Sequence, residues 1–274
     1  MRTVNQFFII NRILPLEPET LATEALMSVA PSSSRLKIYD KLIKGFKQAT
    51  GLTLGVNNLS TQLDVFCIRA AHDQQSGLLN WVGDTLHSTA VNTPGFTANR
   101  GFNTNGSSYI NTGINGASSY PNWQRDDNLC VSAYLEIDHS LAVNRALIGS
   151  RAGNRYDIFT ISNSSTEFQF DNNQEGASPA SDSFTVINDL SFAAMQRYQS
   201  NEYHTRRNNN SNIVTRATTG VTNQPFYELC YSVAGGNPSL FCTPEMISTV
   251  TIIGRSGVDL LHLYNEIQKY IDAL

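Results

Sequence analysis

The closest approach to a catalytic pair in this chain is two carboxylates in Glu136-Ile137-Asp138-His139-Ser140. If the segment is extended, Glu136 and Asp138 project from one face about 7 Å apart. Cleaving a glycosidic bond with retention takes a nucleophilic carboxylate and an acid/base carboxylate about 5–5.5 Å apart. The next position on that face is Ser140, so no third carboxylate supports the pair. A lone pair of acids is common on any solvated strand, and the favoured reading is non-catalytic. The histidines, His72, His87, His139, His204 and His262, do not stand at metal-ligand spacing from one another. No Ser-His-Asp order, phosphate-binding glycine loop or dinucleotide fingerprint occurs. The expectation is a protein that is not an enzyme.

Groups that bind without reacting are better represented. A sugar site needs an aromatic platform beside polar hydrogen-bonding groups. The loop Tyr120-Pro121-Asn122-Trp123-Gln124 offers Tyr120 and Trp123, and Tyr198, Tyr203 and His204 stand near the polar run from Arg206 to Asn210. Tyr120, Trp123, Tyr203 and His204 are therefore the candidate carbohydrate-binding residues, with packing of Trp123 against a sheet edge or a neighbouring subunit as the competing reading. Asp126 and Asp127, and Asp171 before Asn172 and Asn173, supply hard oxygen ligands of the kind calcium takes. Exposed loop acids are the plainer reading of these three, and no other cofactor is implied. Cys67, Cys130, Cys230 and Cys242 form no CxxC pair, so no zinc site is expected, and the first three sit in apolar runs where thiols pack as small hydrophobes.

The elements that would position these groups are mostly strands. Between residues 51 and 255, short apolar segments alternate with turns rich in Asn, Ser and Gly. In Val131-Ser132-Ala133-Tyr134-Leu135-Glu136-Ile137-Asp138 the odd residues are apolar and the even ones more polar, the period of a half-buried antiparallel strand. Leu63 to Ala70 is apolar on both faces and predicts a central, covered strand. Further strands are predicted at 146–150, 156–162, 166–171, 183–187, 191–199, 202–206, 212–216, 226–232 and 247–254, separated by turn signals such as Asn105-Gly106, Asn208-Asn209-Asn210 and Gly235-Gly236-Asn237-Pro238. Many strands at this spacing imply a sandwich or jelly roll.

Helices flank the strands. Pro18 opens a predicted helix over 18–29 with Leu21, Ala22, Ala25, Leu26 and Val29 on one stripe. A second, over 35–50, has Ser34 as N-cap, Leu36, Tyr39, Leu42, Ile43 and Phe46 as its buried stripe, and Gly51 as its end. The last runs from Leu260 to Leu274, with Leu260, Leu261, Tyr264, Ile267, Ile271 and Leu274 at helical spacing. Residues 1–35 read as an N-terminal docking arm, in which Phe7, Phe8, Ile9, Ile10, Leu21 and Leu26 are the candidate assembly residues; residues 36–60 form a helical lead-in, and 61–274 the β domain with its closing helix. An arm lying on its own domain is the alternative.

Composition narrows the function further. Of 274 residues only 15% are charged, against roughly 25% in an average globular protein. The surface must therefore be built from uncharged polar residues. Asn occurs 27 times, 25 of them after residue 55, as many tight turns require. Net charge is −4 and no basic patch dominates, which argues against nucleic acid as a partner. No run approaches the roughly 20 apolar residues of a membrane span, and the start lacks the plan of a secretory signal peptide. The expectation is a protein made in a cytoplasm, with no membrane partner.

A set of segments carries a resemblance. Tyr39-Asp40-Lys41-Leu42-Ile43-Lys44-Gly45-Phe46 is followed by Leu63-Asp64-Val65-Phe66, by Ala70-Ala71-His72-Asp73 and by Leu78-Leu79-Asn80-Trp81-Val82. After these come Pro94-Gly95-Phe96-Thr97-Ala98-Asn99-Arg100-Gly101-Phe102 and Asn105-Gly106-Ser107-Ser108-Tyr109-Ile110-Asn111-Thr112-Gly113, with Leu263-Tyr264-Asn265-Glu266-Ile267-Gln268 near the end. In this order they resemble a family of bacteriophage and prophage virion proteins with a concanavalin-like, laminin-G-like jelly roll, over about residues 36–274. The resemblance implies a mainly β fold: a jelly-roll sandwich of antiparallel strands with short N-terminal helices and one C-terminal helix. It also implies a structural protein of a phage particle, a tail or head fibre or capsid decoration, located in the virion and assembled in the bacterial host. Other virion proteins and copies of itself, by analogy with fibres a homotrimer, would be its partners, with host or environmental glycans as ligands of the jelly roll. Glu136 to Ser140 resembles the start of the E-x-D-x-E strand of jelly-roll glucanases, with Ser140 in place of the last Glu. A tail-spike glycan hydrolase and a soluble prophage-encoded lectin are therefore the alternatives.

Overall fold

The computed structural model describes residues 15–115, 120–136, 145–152, 155–161, 167–175, 180–183, 190–218, 220, 222–238, 242 and 246–274. Helices α1 (Pro18–Glu24) and α2 (Ser33–Thr50) come first and α3 (Leu260–Asp272) last. Between them lie β1 (Leu63–Ile68), β2 (Thr89–Val91), β3 (Gly95–Thr97), β4 (Gly101–Asn103), β5 (Tyr109–Asn115), β6 (Asn128–Glu136), β7 (Arg145–Ala152), β8 (Arg155–Ile161) and β9 (Glu167–Glu175). They are followed by β10 (Ala180–Ser183), β11 (Leu190–Gln199), β12 (Glu202–Arg207), β13 (Asn210–Thr215), β14 (Pro225–Glu228), β15 (Ser232–Val233), β16 (Asn237–Pro238) and β17 (Met246–Gly254). The strands form two sheets. The first has the order β13-β12-β11-β6-β17-β4-β3, with β1 also paired to β17; the second has the order β10-β9-β8-β7-β14-β5-β2, with β15 beside β7 and β16. Pairing is antiparallel apart from one parallel bridge, between β15 and β7. The expected antiparallel sandwich with helices at both ends is the fold observed.

Two apolar layers hold it together, and the first sheet takes part in both. On one side Val65, Cys67, Cys130, Tyr134, Ala193, Met195, Tyr203 and Ile253 meet Ile114, Ile148, Phe170 and Phe226 of the second sheet. On the other, Phe66, Ile68, Val131, Ala133, Phe192, Ala194, Val250 and Ile252 are covered by α2 and α3. Burying one such side chain stabilises the fold by about 1.5–3 kcal/mol. The predicted half-exposed strand at 131–138 is therefore buried on both faces over its described part: Val131, Ala133 and Leu135 face the helices, while Tyr134 faces the second sheet. Covered as expected, β1 nevertheless pairs with β17 alone. Its other edge is closed by Asn80, whose Oδ1 accepts from Phe66 N at 2.9 Å, and by Trp81 N, which donates to Phe66 O at 2.8 Å.

The helices follow their sequence signals with two shifts. In α2 the stripe Leu36, Tyr39, Leu42, Ile43 and Phe46 is buried as expected, and Gly51 ends the helix at φ 71°. Its N-cap is Ser32 and not Ser34; the Ser32 hydroxyl accepts from Arg35 N at 3.2 Å. Along α3 the buried residues are Leu260, Leu263, Ile267 and Tyr270, so the core-facing stripe is displaced and Leu261 is exposed. Gly45 lets the two helices approach, because a Cβ there would run into the Glu266 side chain. Gly101, at φ 122°, lets β4 pass the Ser248 carbonyl, which a Cβ would strike. The predicted strand over 226–232 is interrupted at Leu229, which turns the chain at φ 67° between β14 and β15.

The first helix departs most from expectation. It is shorter, and its polar side faces inward. Glu17, just before it, and Glu19 each meet the buried Lys47 ammonium at 2.8 Å. Glu17 Oε2, the oxygen that meets Lys47, also accepts from Gly55 N at 2.7 Å, and the other oxygen of Glu19 accepts from Leu59 N at 2.9 Å. Asp40 accepts from Glu17 N at 2.6 Å and from the Thr20 hydroxyl at 3.0 Å. Burial pulls the Lys47 ammonium down, and its hydrogen bonds to Glu17 and Glu19 more than reverse that. The apolar stripe is left outside, with Leu21 at 52%, Leu26 at 40% and Val29 at 53% of full exposure. The arm up to residue 35 thus lies, from Pro15 on, against its own chain. Phe7, Phe8, Ile9 and Ile10 fall outside the described residues.

Candidate functional site

The helical layer does not cover the whole first sheet, and the site lies where it stops. Side chains alternate across β11 and β12. Ala193, Met195, Tyr203 and Arg207 point between the sheets, while Gln196, His204 and Arg206 point to the helical side. Gln196 is the last of these that the helical side covers, because its amide is fixed by the loop before α3. Gly257 N and Val258 N donate to Gln196 Oε1, each at 3.2 Å, and Gln196 Nε2 donates to Val258 O at 3.1 Å. Beyond it, the outer faces of β12 and β13 form the floor of an open groove of about 630 Å³, and Val258, Asp259, Leu260 and Leu261 form its wall. Ser211, Asn212 and Ile213 line the far side.

Polar and charged groups line the groove, and aromatic and acidic groups stand beside it through His204. His204 lies edge-on to the exposed Tyr198 ring, with centroids 4.6 Å apart, and hydrogen-bonds its hydroxyl. Glu202 Oε1 stands 3.0 Å from His204 Nε2. Burial, with the Glu202 charge adding to it, pushes the Tyr198 phenol above its ordinary value. Arg206 is only 8% exposed, yet its one hydrogen bond among the described residues runs from Nη2 to Asn209 O at a long 3.4 Å, and Nε has no partner among them. Burial holds its guanidinium below the usual arginine range, and Asp259 acts on it against that without forming an ion pair. The Asp259 carboxylate is itself occupied capping α3, where it accepts from Leu261 N and His262 N at 3.0 Å.

Only one of the predicted sugar residues, His204, lines this groove. Trp123 is corrected to a core residue: it is 2% exposed and packs edge-on against Phe226 at 5.2 Å. Its loop is drawn in by Asp64, whose carboxylate accepts from Trp123 N at 2.6 Å and Asn122 N at 3.3 Å. Tyr203 is corrected likewise, because strand alternation turns it inward; its hydroxyl donates to Phe170 O at 3.0 Å and Arg197 lies over its ring. Tyr120 is half-buried, and its hydroxyl is engaged by Asn115 N at 2.9 Å and Gly113 O at 3.0 Å. Arg206 was missed as a site residue because its neighbours in sequence look like a solvated loop. What sequence hides is the groove itself, whose wall of Asp259, Leu260 and Leu261 lies far along the chain.

Two of the calcium candidates, Asp126 and Asp127, are taken by partners within the protein. Asp126 accepts from the Thr218 hydroxyl at 2.7 Å and pairs with Arg125 at 3.0 Å. Burial pushes its carboxyl up, but these two partners bring it below the usual range. Asp127 is taken by Arg255 at 2.7 Å and by Ser256 N and hydroxyl at 3.0 and 2.8 Å. The side chain of Asp171, in β9, lies outside the described residues, as do those of Glu136 and Asp138. Among the described residues no group of three or more His, Cys, Asp or Glu is placed to hold a metal ion.

Known protein families and curated protein sequences give no match to the chain. Solved structures do. The botulinum neurotoxin serotype D binding domain is similar at a TM-score of 0.54 and 10% identity, over 75% of this chain and 52% of that one. Trypanosoma rangeli sialidase in complex with sialic acid gives a TM-score of 0.53 at 10% identity, over 86% and 39%. Botulinum neurotoxin type C, whose cell entry depends on interaction with two ganglioside molecules, gives 0.51 at 12%, over 77% and 52%. The fold is a concanavalin-like antiparallel β-sandwich. The likeness extends to fold alone, and the chain spans about half or less of the length of these proteins. Within the sandwich of this chain, the motif glycines Gly45 and Gly101, like Asn80 and Asp64, serve packing and loop placement. No helix among the described residues is long and apolar enough to cross a membrane.

Proposed function

We propose that this protein is a non-enzymatic component of a bacteriophage particle whose lectin-type sandwich binds host or environmental glycans. The groove over β12 and β13 carries the reading. Its lining includes His204 and a row of hydroxyl and amide groups on the sheet, and the exposed Tyr198 ring stands against His204; an aromatic ring beside such groups is what sugar recognition needs. Sialic acid and gangliosides, named for the structural neighbours, are glycans or glycolipids and favour the same ligand class. The virion setting rests on the order of the segments from Tyr39 to Gly113. Titrating the protein with bacterial-envelope polysaccharides, as wild type and as Tyr198→Ala with His204→Ala, tests the binding role. Saturable binding weakened at least tenfold in the double variant is expected, and unchanged binding defeats this site. Mass spectrometry of purified particles tests the location, since absence from virions defeats it.

Assembly belongs to the outward face of α1. Leu26, with Ala22 and Thr23, lines a groove of about 280 Å³ that reaches Trp81 and Val82, and Leu21 and Val29 are exposed as well. A short helix held inward by charges and presenting hydrocarbon outward is suited to meeting the same stripe on other copies. The oligomer is a homotrimer in this reading. Light scattering of the full chain checks it: a trimer that dissociates in Leu21→Asp/Leu26→Asp is expected, and a monomeric wild type refutes it.

A further inference from the structure

We infer that the groove over β12 and β13 selects acidic glycans, with the Arg206 guanidinium receiving an anionic oxygen of the sugar chain. This rests on the glycan-binding reading of the same groove. Buried polar groups nearly always have partners, and a buried cation without one costs several kcal/mol, so an under-bonded arginine at a site calls for an explanation.

The pairing around Arg206 is incomplete in a specific way. Its side chain is withdrawn from water, lines the groove and has one long hydrogen bond to a backbone carbonyl. The carboxylates near the groove are both otherwise engaged. Glu202 meets His204, and Asp259 caps α3 without reaching Arg206. The first turn of α3 adds the positive end of a helix to the groove wall, partly offset by that cap. A guanidinium offers a planar fork matched to two oxygens of a carboxylate or phosphate, and such charge-assisted pairs are about twice as strong as neutral ones. The uncharged lining, Ser211, Asn212 and the exposed Ile213 and Leu261, would hold the sugar rings on either side. Neutral sugars satisfy the lining but leave the guanidinium unpaired.

Titration calorimetry with three trisaccharides tests this: trigalacturonic acid, neutral galactotriose and a phosphorylated trisaccharide, against wild type, Arg206→Met and Arg206→Lys. At least one acidic ligand should bind wild type tenfold or more tighter than galactotriose. Arg206→Met should remove that advantage, bringing the acidic ligands to within about threefold of galactotriose, and Arg206→Lys should keep part of it. Comparing the two acids separates carboxylate from phosphate. Equal binding of neutral and acidic ligands overturns the acidic preference and leaves glycan binding standing. An acidic preference that survives in a folded Arg206→Met variant, checked by amide NMR, overturns the role of Arg206. Binding of inorganic phosphate as tight as that of the phosphorylated trisaccharide overturns a glycan site in favour of a simple anion site. No binding by any of the three sugars overturns the inference and the glycan reading together.

Discussion

Arg69 and Arg206 are both buried side chains, one between the sheets and one lining an open groove, and their surroundings differ in almost every respect. Arg69, just after β1, meets Glu228 in a fully buried pair between the sheets. Its Nη1 donates to Gly77 O at 2.8 Å and its Nη2 to the Ser88 hydroxyl at 2.7 Å, while Ser248 donates to Glu228 at 3.0 Å. Arg206 has a single long bond on an open groove. The first arrangement is complete and closed, as a structural ion pair must be to offset desolvation. The second is open toward solvent and short of partners, which is how a binding cation differs from a structural one.

The sharpest way to break this contrast is Glu228→Ala. It strands the Arg69 charge in the interior and should cost about 3–5 kcal/mol, read from urea unfolding. Adding Arg69→Met to Glu228→Ala should restore much of the loss, and if it does not, the pair is not the cause. Tyr203→Phe comes next: removing the buried bond to Phe170 O should cost about 0.5–1.5 kcal/mol and leave ligand binding unchanged. Weaker binding in that variant would return Tyr203 to the site. Arg206→Met should alter stability by less than about 1 kcal/mol, or raise it slightly, because no good partner is left behind. A loss as large as that of Glu228→Ala would make Arg206 structural and erase the contrast.

The smallest effect is expected at Asp126, a partly exposed acid whose folded-state carboxyl lies below its usual value. A lowered carboxyl adds stability above the unfolded value of about 3.9, and that contribution fades as pH falls through the folded value. Wild type should therefore lose slightly more stability than Asp126→Asn between neutral pH and strong acid. Urea midpoints at several pH values check this, and identical slopes would show that Thr218 and Arg125 do not stabilise the charge.

The parts of the fold visible in the sequence were those with local causes. The α2 stripe, its stop at Gly51 and most long strands follow from periodicity and turn residues. The three-residue strands β2, β3 and β4 are too short to show a period. The double burial of β6 was hidden because Ser132 and Tyr134 look like a wet face until the second sheet covers them. Of the site, His204 was legible from its aromatic and polar neighbours. Trp123 misled because its loop looks polar, while Asp64, distant in sequence, pulls that loop inward. Arg206 was invisible because the groove it lines is closed by residues far along the chain, Asp259 to Leu261.

The way α1 is fastened has one more consequence. Its grip is a latch of charges centred on a single amine, Lys47, and takes little from the hydrocarbon interior. Losing that amine would loosen the leading segment while the two sheets stay folded. The front end of the molecule is thus fastened on its own terms, and its outer face can change over evolution without any rebuilding of the sandwich behind it.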